Sequence, residues 1–272
     1  MVKYTKSSLK AHSICYNCTI IQQGTVLALI DLFDIKKQYD IKLLLTGVDF
    51  HLNEGERVTI VGQNGCGKST LMKIIMGEEE PTDGKRVVNS SIHIEMLAQQ
   101  PHFDPGLSVR EAILNELTEL KKAKDEYDTL SLKVAEDFEN DELLKKLEKV
   151  SSFLDHHNAW NLDDKIERVM QEFQLKAYED RPVVSLSGGE QRRVALASLI
   201  LKKPDVLLLD EPTNHLDVYM VEFLEEMLLK GNFTLLFISH DRHFIDTIAT
   251  RVVEVDNQQL ISYTGGYMSY LE

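Results

Sequence analysis

Residues 57–76 constrain this chain more tightly than any other stretch. Arg57, Val58, Thr59, Ile60 and Val61 read as a buried strand, and Leu71 to Met76 as the start of an apolar helix. Between them lie Gly62, Gln63, Asn64, Gly65, Cys66, Gly67, Lys68, Ser69 and Thr70, which is G-x-x-x-x-G-K-[ST] in a strand–loop–helix context. Glycines there let backbone N–H groups curl around phosphates, and the helix N-terminus adds positive potential. Lys68 can reach the β- and γ-phosphates of a nucleotide, and the Ser69 hydroxyl can ligate Mg²⁺. Cys66 occupies a slot for a small residue and needs only a steric role. An α/β domain that binds a nucleotide is the expectation.

A second constraint sits at residues 205–217. Val206, Leu207, Leu208 and Leu209 read as a strand buried on both faces, and the chain then presents Asp210 and Glu211 at its carboxyl end, where open parallel sheets place ligands. One carboxylate can hold Mg²⁺ through water while its neighbour orients or deprotonates an attacking water. A buried strand leaving through an acidic loop is the plain alternative for this segment alone. Pro212 ends the strand.

Other candidates follow the same logic of strand ends and helix starts. Residues 91–97 read as a strand, with Gln99 at its exit able to touch both metal and γ-phosphate, or to serve only as a turn residue. Ser187, Gly188, Gly189 and Glu190 open a helix with a hydroxyl, two glycines and free N–H groups, which makes either a second anion site or an ordinary serine cap. Residues 232–239 form another apolar strand ending at His240, placed to contact a γ-phosphate or to be structural. Tyr39, in a turn after the strand at residues 27–35, offers an aromatic face for a base or for packing. Residues 251–256 and 259–264 flank Asn257 and Gln258 as a hairpin.

Residues 109–175 change character. Apolar positions recur at helical spacing from Ile113 to Val134, from Leu143 to Leu154 and from Leu162 to Phe173, and an acidic connection at 135–141 makes the first two an antiparallel hairpin. Residues 110–180 hold 11 Lys and Arg against 19 Asp and Glu, a balance of −8 within a chain total of −14. Such a hairpin is either a solvated subdomain or an arm that touches a partner. The overall acidity excludes indiscriminate coating of nucleic acid. No run of eighteen apolar residues and no signal peptide is present, so no membrane insertion is expected. Three cysteines make no disulfide framework, and a cytoplasmic address is expected. Residues 1–26 read as a loose extension in which Cys15-Tyr-Asn-Cys18 lacks a second ligand pair for zinc.

Taken in order, Gly62 to Ser69, Gln99, Leu186 to Glu190, Leu207 to Glu211, Asn214 to Asp217 and His240 resemble the Walker A, Q-loop, signature, Walker B, D-loop and H-loop of an ABC-type ATPase, over residues 27–272. The resemblance implies a P-loop α/β fold with a mixed sheet, a helical signature subdomain and an inserted antiparallel helical arm at about 109–185. Asp210-Glu-Pro-Thr-Asn-His-Leu-Asp217 and Ser239-His-Asp-Arg242 resemble the soluble ABC-F branch. The 88 positions from Gln99 to Ser187 leave room for its arm, and Leu154 to Trp160 is similar to the Uup-like group.

By that resemblance, the loop with Lys68 binds the phosphates of ATP, Ser69, Gln99 and Asp210 hold Mg²⁺, Glu211 acts on the attacking water, His240 senses the γ-phosphate and Tyr39 stacks on adenine. Ser187 and Gly189 would serve ATP held by a second ABC domain, either a second copy or a missing half, because the branch usually carries two domains and this chain one. The ribosome is the implied partner, with branched DNA and a non-catalytic fragment as alternatives. The family's start matches Leu27, so translation is expected to begin there from a leucine codon.

Overall fold

The strands run in chain order as β1 (Ala28–Tyr39), β2 (Lys42–Asn53), β3 (Arg57–Gly62), β4 (Asp83–Val88), β5 (Ile94–Leu97), β6 (Val206–Asp210), β7 (Thr234–Ile238), β8 (Arg251–Asp256) and β9 (Gln259–Thr264). The helices are α1 (Lys68–Met76), α2 (Val109–Glu116), α3 (Thr118–Glu136), α4 (Asp141–His156), α5 (Leu162–Glu172), α6 (Gly188–Lys202), α7 (Val218–Lys230), α8 (Arg242–Ile248) and α9 (Tyr267–Leu271). This computed structural model describes residues 28–271 apart from 98, 100, 139, 158 and 232. The expected extension at 1–26, with Cys15 and Cys18, and the expected start at Leu27 lie outside the described residues.

Six strands form the main sheet in the order β5-β6-β7-β3-β8-β9. All neighbours are parallel except β8 and β9, so the sheet is mixed. The parallel order puts the exits of β3, β5, β6 and β7 along one edge, which is where the loops carrying Lys68, Gln99, Glu211 and His240 emerge. β6 lies between β5 and β7 and is covered on both faces. Val206 and Leu208 join Ile60, Leu71, Ile74 and Ile75 on one side, while Leu207 and Leu209 join Val194, Leu196, Leu224 and Phe237 on the other. This two-sided burial explains why its sequence is uninterrupted Val-Leu-Leu-Leu. The β8–β9 hairpin turns through Asn257 and Gln258, both at positive φ (45° and 66°).

A second, antiparallel sheet in the order β2-β1-β4 lies over α1. β4 carries no hydrophobic alternation, whereas Val48, Phe50 and Leu52 of β2 alternate with exposed Asp49 and His51, a strand signal that the sequence reading missed. The β1–β2 pairing carries register shifts, Gly47 sits within β2, and most of β4 is exposed. Tyr39 closes β1 and is not itself in the turn, because it pairs with Lys42 and the chain reverses at Asp40, φ 50°.

The helical run expected from Ile113 to Val134 is broken at Leu117 (φ −101°, ψ 20°), where Thr118 turns its hydroxyl onto the Asn115 carbonyl. α3 and α4 then pair across residues 137–140, and Asn140 caps α4 by accepting from the Glu142 and Leu143 N–H groups. The root of this hairpin joins the main core through Leu120 and Leu154, Tyr127 meets Trp160 edge-on at 4.6 Å, and Leu130 is buried further along α3. Towards the far end Leu132, Phe138 and Leu144 are exposed. No described helix is long and apolar enough to cross a membrane.

Candidate nucleotide site

The loop after β3 is shaped by crowding from β8. Gly62 has φ 144°, and a Cβ there would lie 2.6 Å from the Val255 carbonyl oxygen and 2.9 Å from Cys66 Sγ. Gly67 stands at the N-terminus of α1 with no side chain to cap it, so the first N–H groups of that helix have no partner from within it. Lys68 is 9% exposed, and its Nζ donates to the carbonyls of Gly62 (2.9 Å) and Gln63 (3.0 Å), which places the ammonium inside the loop. Ser69 is exposed beside it, Thr70 is half-buried, and Cys66 packs against the core. A glycine cradle, an uncapped helix start and an enclosed cation fit phosphate groups.

Across from the loop, Asp210 ends β6. Glu211 follows at φ 52°, a conformation that costs a non-glycine residue roughly 1–3 kcal/mol and clusters at functional sites. Its N–H donates to the Ile238 carbonyl at 2.9 Å, and its carboxylate is buried. One carboxylate oxygen accepts from the His240 N–H at 3.3 Å, and the other lies 3.3 Å from His240 Nε2. Burial pushes the Glu211 carboxyl above its ordinary value, opposed by the charge and N–H of His240 and by Lys68, and reinforced by Asp210. A buried carboxyl held in one geometry by a histidine is the arrangement a general base requires.

Tyr39 is 44% exposed; its hydroxyl donates to Glu79, and Lys37 Nζ lies 4.9 Å from the ring centroid. The Glu79 carboxylate and then burial raise the phenol's pKa. One cavity of about 400 Å³ is lined by Tyr39, Asn64, Gly65, Gly67, Lys68, Ser69, Thr70, Gln99, Asp210, Glu211 and His240. Gly62 and Gln63 line a neighbouring cavity of about 350 Å³ that shares Lys68 and His240. A larger cavity of about 900 Å³, lined by residues such as Asp205, Phe223 and Thr234, contains none of these groups.

The signature residues do not join the cavity. Ser187 caps α6 by accepting from the Glu190 N–H at 3.4 Å, while the Glu190 carboxylate accepts from both the Ser187 N–H and hydroxyl at 2.8 Å. These bonds hold the Glu190 carboxyl below its ordinary range. The Ser187 N–H and hydroxyl at this helix start are thus taken by Glu190. Ser187 and Gly188 are exposed, and Gly189 lies so close to the D-loop that a Cβ would come 2.4 Å from the His215 carbonyl oxygen.

Two residues escaped the sequence reading. Lys42, the first residue of β2, lines the cavity and donates to the Gly65 carbonyl at 3.4 Å, and nothing in a lysine at a strand start announces this. Arg192 is 2% exposed, and its guanidinium donates to the carbonyls of Gln99 (2.7 Å), Asp210 (2.5 Å) and Glu211 (2.7 Å). Helical phase was the available signal, since Arg192 shares the buried side of α6 with Leu196 and Leu199 at spacings of four and seven.

The fold and this cavity define a P-loop nucleotide-binding domain. The sequence profile of the ABC transporter family matches residues 45–214, more than half of the chain, and the protein belongs to that ATPase family. It is similar to the Energy-dependent translational throttle protein EttA of Mycobacterium tuberculosis (strain CDC 1551 / Oshkosh), 36% identical over 238 residues, 88% of this chain and 42% of that one. It is also similar to the ATP-binding protein Uup of Escherichia coli K12, 40% identical over 228 residues, 84% of this chain and 35% of that one. Both relatives are ABC-F proteins, and the chain spans less than half the length of either. In fold it is similar to a solved ATP-binding subunit of an ABC transporter, with a TM-score of 0.66 at 20% identity, covering 87% of this chain and 90% of that one.

Proposed function

We propose that residues 27–272 form an ABC-F ATPase domain that hydrolyses ATP when a second such domain, a second copy or a partner half, closes on it, and that it acts on the ribosome through the helical arm within residues 109–185. The buried Glu211 carboxyl, fixed by His240 and facing Lys68 across one cavity, carries the catalytic part. Lys68 and the N–H groups at the start of α1 bind the phosphates, and Tyr39 offers its ring to adenine. Ser69, Gln99 and Asp210 are the residues that would hold Mg²⁺, which when bound offsets phosphate charge. Glu211 accepts the proton of the attacking water as the water oxygen bonds to the terminal phosphorus and the bond from that phosphorus to the bridging oxygen breaks, with ADP as the leaving group, and His240 holds Glu211 and reads the terminal phosphate.

Because Ser187, Gly188, Gly189 and Glu190 lie outside the cavity, they serve ATP on the partner domain, and Glu190 must release Ser187 as the two close. The ribosomal role is supported by the similarity to a protein named a translational throttle and by the projecting hairpin. Two measurements test this. Specific ATPase activity should rise with protein concentration; activity that is independent of concentration contradicts closure between domains, and none without an added partner half marks a fragment. The Glu211→Gln variant should co-sediment with ribosomes in ATP and not in ADP, and equal sedimentation in both removes the ribosomal assignment.

A further inference from the structure

Lys37 is a buried cation that the chemistry just described does not use. It stands in β1, where Leu32 and Ile35 are its buried neighbours, and it is only 9% exposed. Burying an ammonium is costly unless it is paired. Its Nζ donates to the Glu80 carbonyl at 2.7 Å and pairs with the Glu79 carboxylate at 2.8 Å, both just after α1. The same Glu79 oxygen accepts from the Tyr39 hydroxyl, and the ammonium lies over the Tyr39 ring. Tyr39 ends its strand and is nearly half exposed, so its own burial does little to fix the ring. A carboxylate at its tip and a cation on one face do so instead. Lys37 is absent from the cavity wall that Tyr39 helps to form, so the face it covers is turned from ligand and the other is left open.

Resting on the adenine contact proposed above for Tyr39, we propose that Lys37 and Glu79 are positioning residues that hold the Tyr39 ring in place before a base arrives. An aromatic side chain that became ordered only on binding would lose its rotamer freedom at that moment, which weakens affinity by about twofold to tenfold. Here Glu79 orders the ring in advance from its hydroxyl end, and the attraction between the Lys37 ammonium and the ring face adds to the hold. Neither residue lines the cavity that contains Lys68 and Glu211, so the pair acts on the base end of a nucleotide and not on its phosphates.

Equilibrium dialysis with labelled ATP, and with inorganic tripolyphosphate as competitor, separates the base from the phosphates. Glu79→Ala should weaken ATP binding by about twofold to tenfold and leave the affinity for tripolyphosphate unchanged. Glu79→Gln, whose amide oxygen can still accept from the phenol, should recover part of the loss. Tyr39→Phe keeps the ring but has no hydroxyl to hold, so in that background Glu79→Ala should add little, as expected of two groups that act as one. The inference is overturned if Glu79→Ala binds ATP like the wild type, weakens tripolyphosphate equally, or adds its full loss to that of Tyr39→Phe. If circular dichroism shows Glu79→Ala unfolded, Tyr39→Phe decides, and wild-type ATP affinity in that variant overturns the inference. Undiminished ATP binding by Tyr39→Ala removes instead the adenine contact on which the inference rests, and a wild-type chain that binds no ATP removes the nucleotide function itself.

Discussion

Glu211→Gln separates charge from shape at the most consequential side chain. The amide has nearly the volume of the carboxyl, and its oxygen can still accept the His240 N–H, so the cavity and ATP binding should survive. What disappears is the proton acceptor. A general base contributes about 10²–10⁴-fold, so turnover should fall by that factor, roughly 3–5 kcal/mol of barrier. Phosphate release and ATP binding should be measured on the same preparation. The variant also carries a stability signature. Burial raises the Glu211 pKa in the folded state, and such a group contributes stability that is fully present below its unfolded pKa and is lost as pH rises through the folded one. At neutral pH the wild-type chain therefore bears a buried carboxylate that glutamine relieves. The variant should melt higher at neutral pH, and the gap should close as pH falls into the carboxylate range. Hydrolysis at the wild-type rate, or a gap that widens on acidification, would refute the role assigned to this buried carboxyl.

Lys68→Ala removes the cation enclosed by the loop and should weaken ATP binding by more than about tenfold in equilibrium dialysis, since charge-assisted contacts to phosphate are the strong ones. Leu154→Ala, at a fully buried position in the arm root, should cost about 2–5 kcal/mol in denaturant unfolding. Leu132→Ala, on the exposed part of the same hairpin, should stay within about 0.5 kcal/mol, and equal losses would mean that the arm root is not packed as described. Tyr270 donates to Glu254 at 2.8 Å, and this bond, with burial, pushes its pKa up to about 12. Its neutral form contributes stability that is present below the unfolded value of about 10 and lost as pH rises through the folded one. Phenolate absorbance should show a late-titrating tyrosine that Tyr270→Phe removes.

Contiguous chemistry was legible from the chain alone. The loop at 62–70 declares itself because glycine freedom, the lysine and the helix start are adjacent in sequence, and β6 does so because burial on both faces demands an unbroken apolar run. The hairpin of α3 and α4 followed from helical periodicity, although its break at Leu117 did not, since a hydroxyl bonding back to a carbonyl leaves no trace in spacing. β4 stayed hidden because its residues are mostly exposed and it pairs with β1 over a long separation, while β2 did alternate at Val48, Phe50 and Leu52 and was obscured only in its first half, where register shifts and Gly47 break the period. Only the tertiary structure brought Gln99, Glu211 and His240 against Lys68, because the order of parallel strands is a property of long-range packing. It also showed that Glu190 pairs with Ser187 at the start of α6, and that Arg192, one more charge in a polar stretch, turns inward to bond the carbonyls of Gln99, Asp210 and Glu211. Local sequence specifies what each segment can bind; which segments share a cavity, and which buried charge ties them together, is decided by burial that only the assembled core defines.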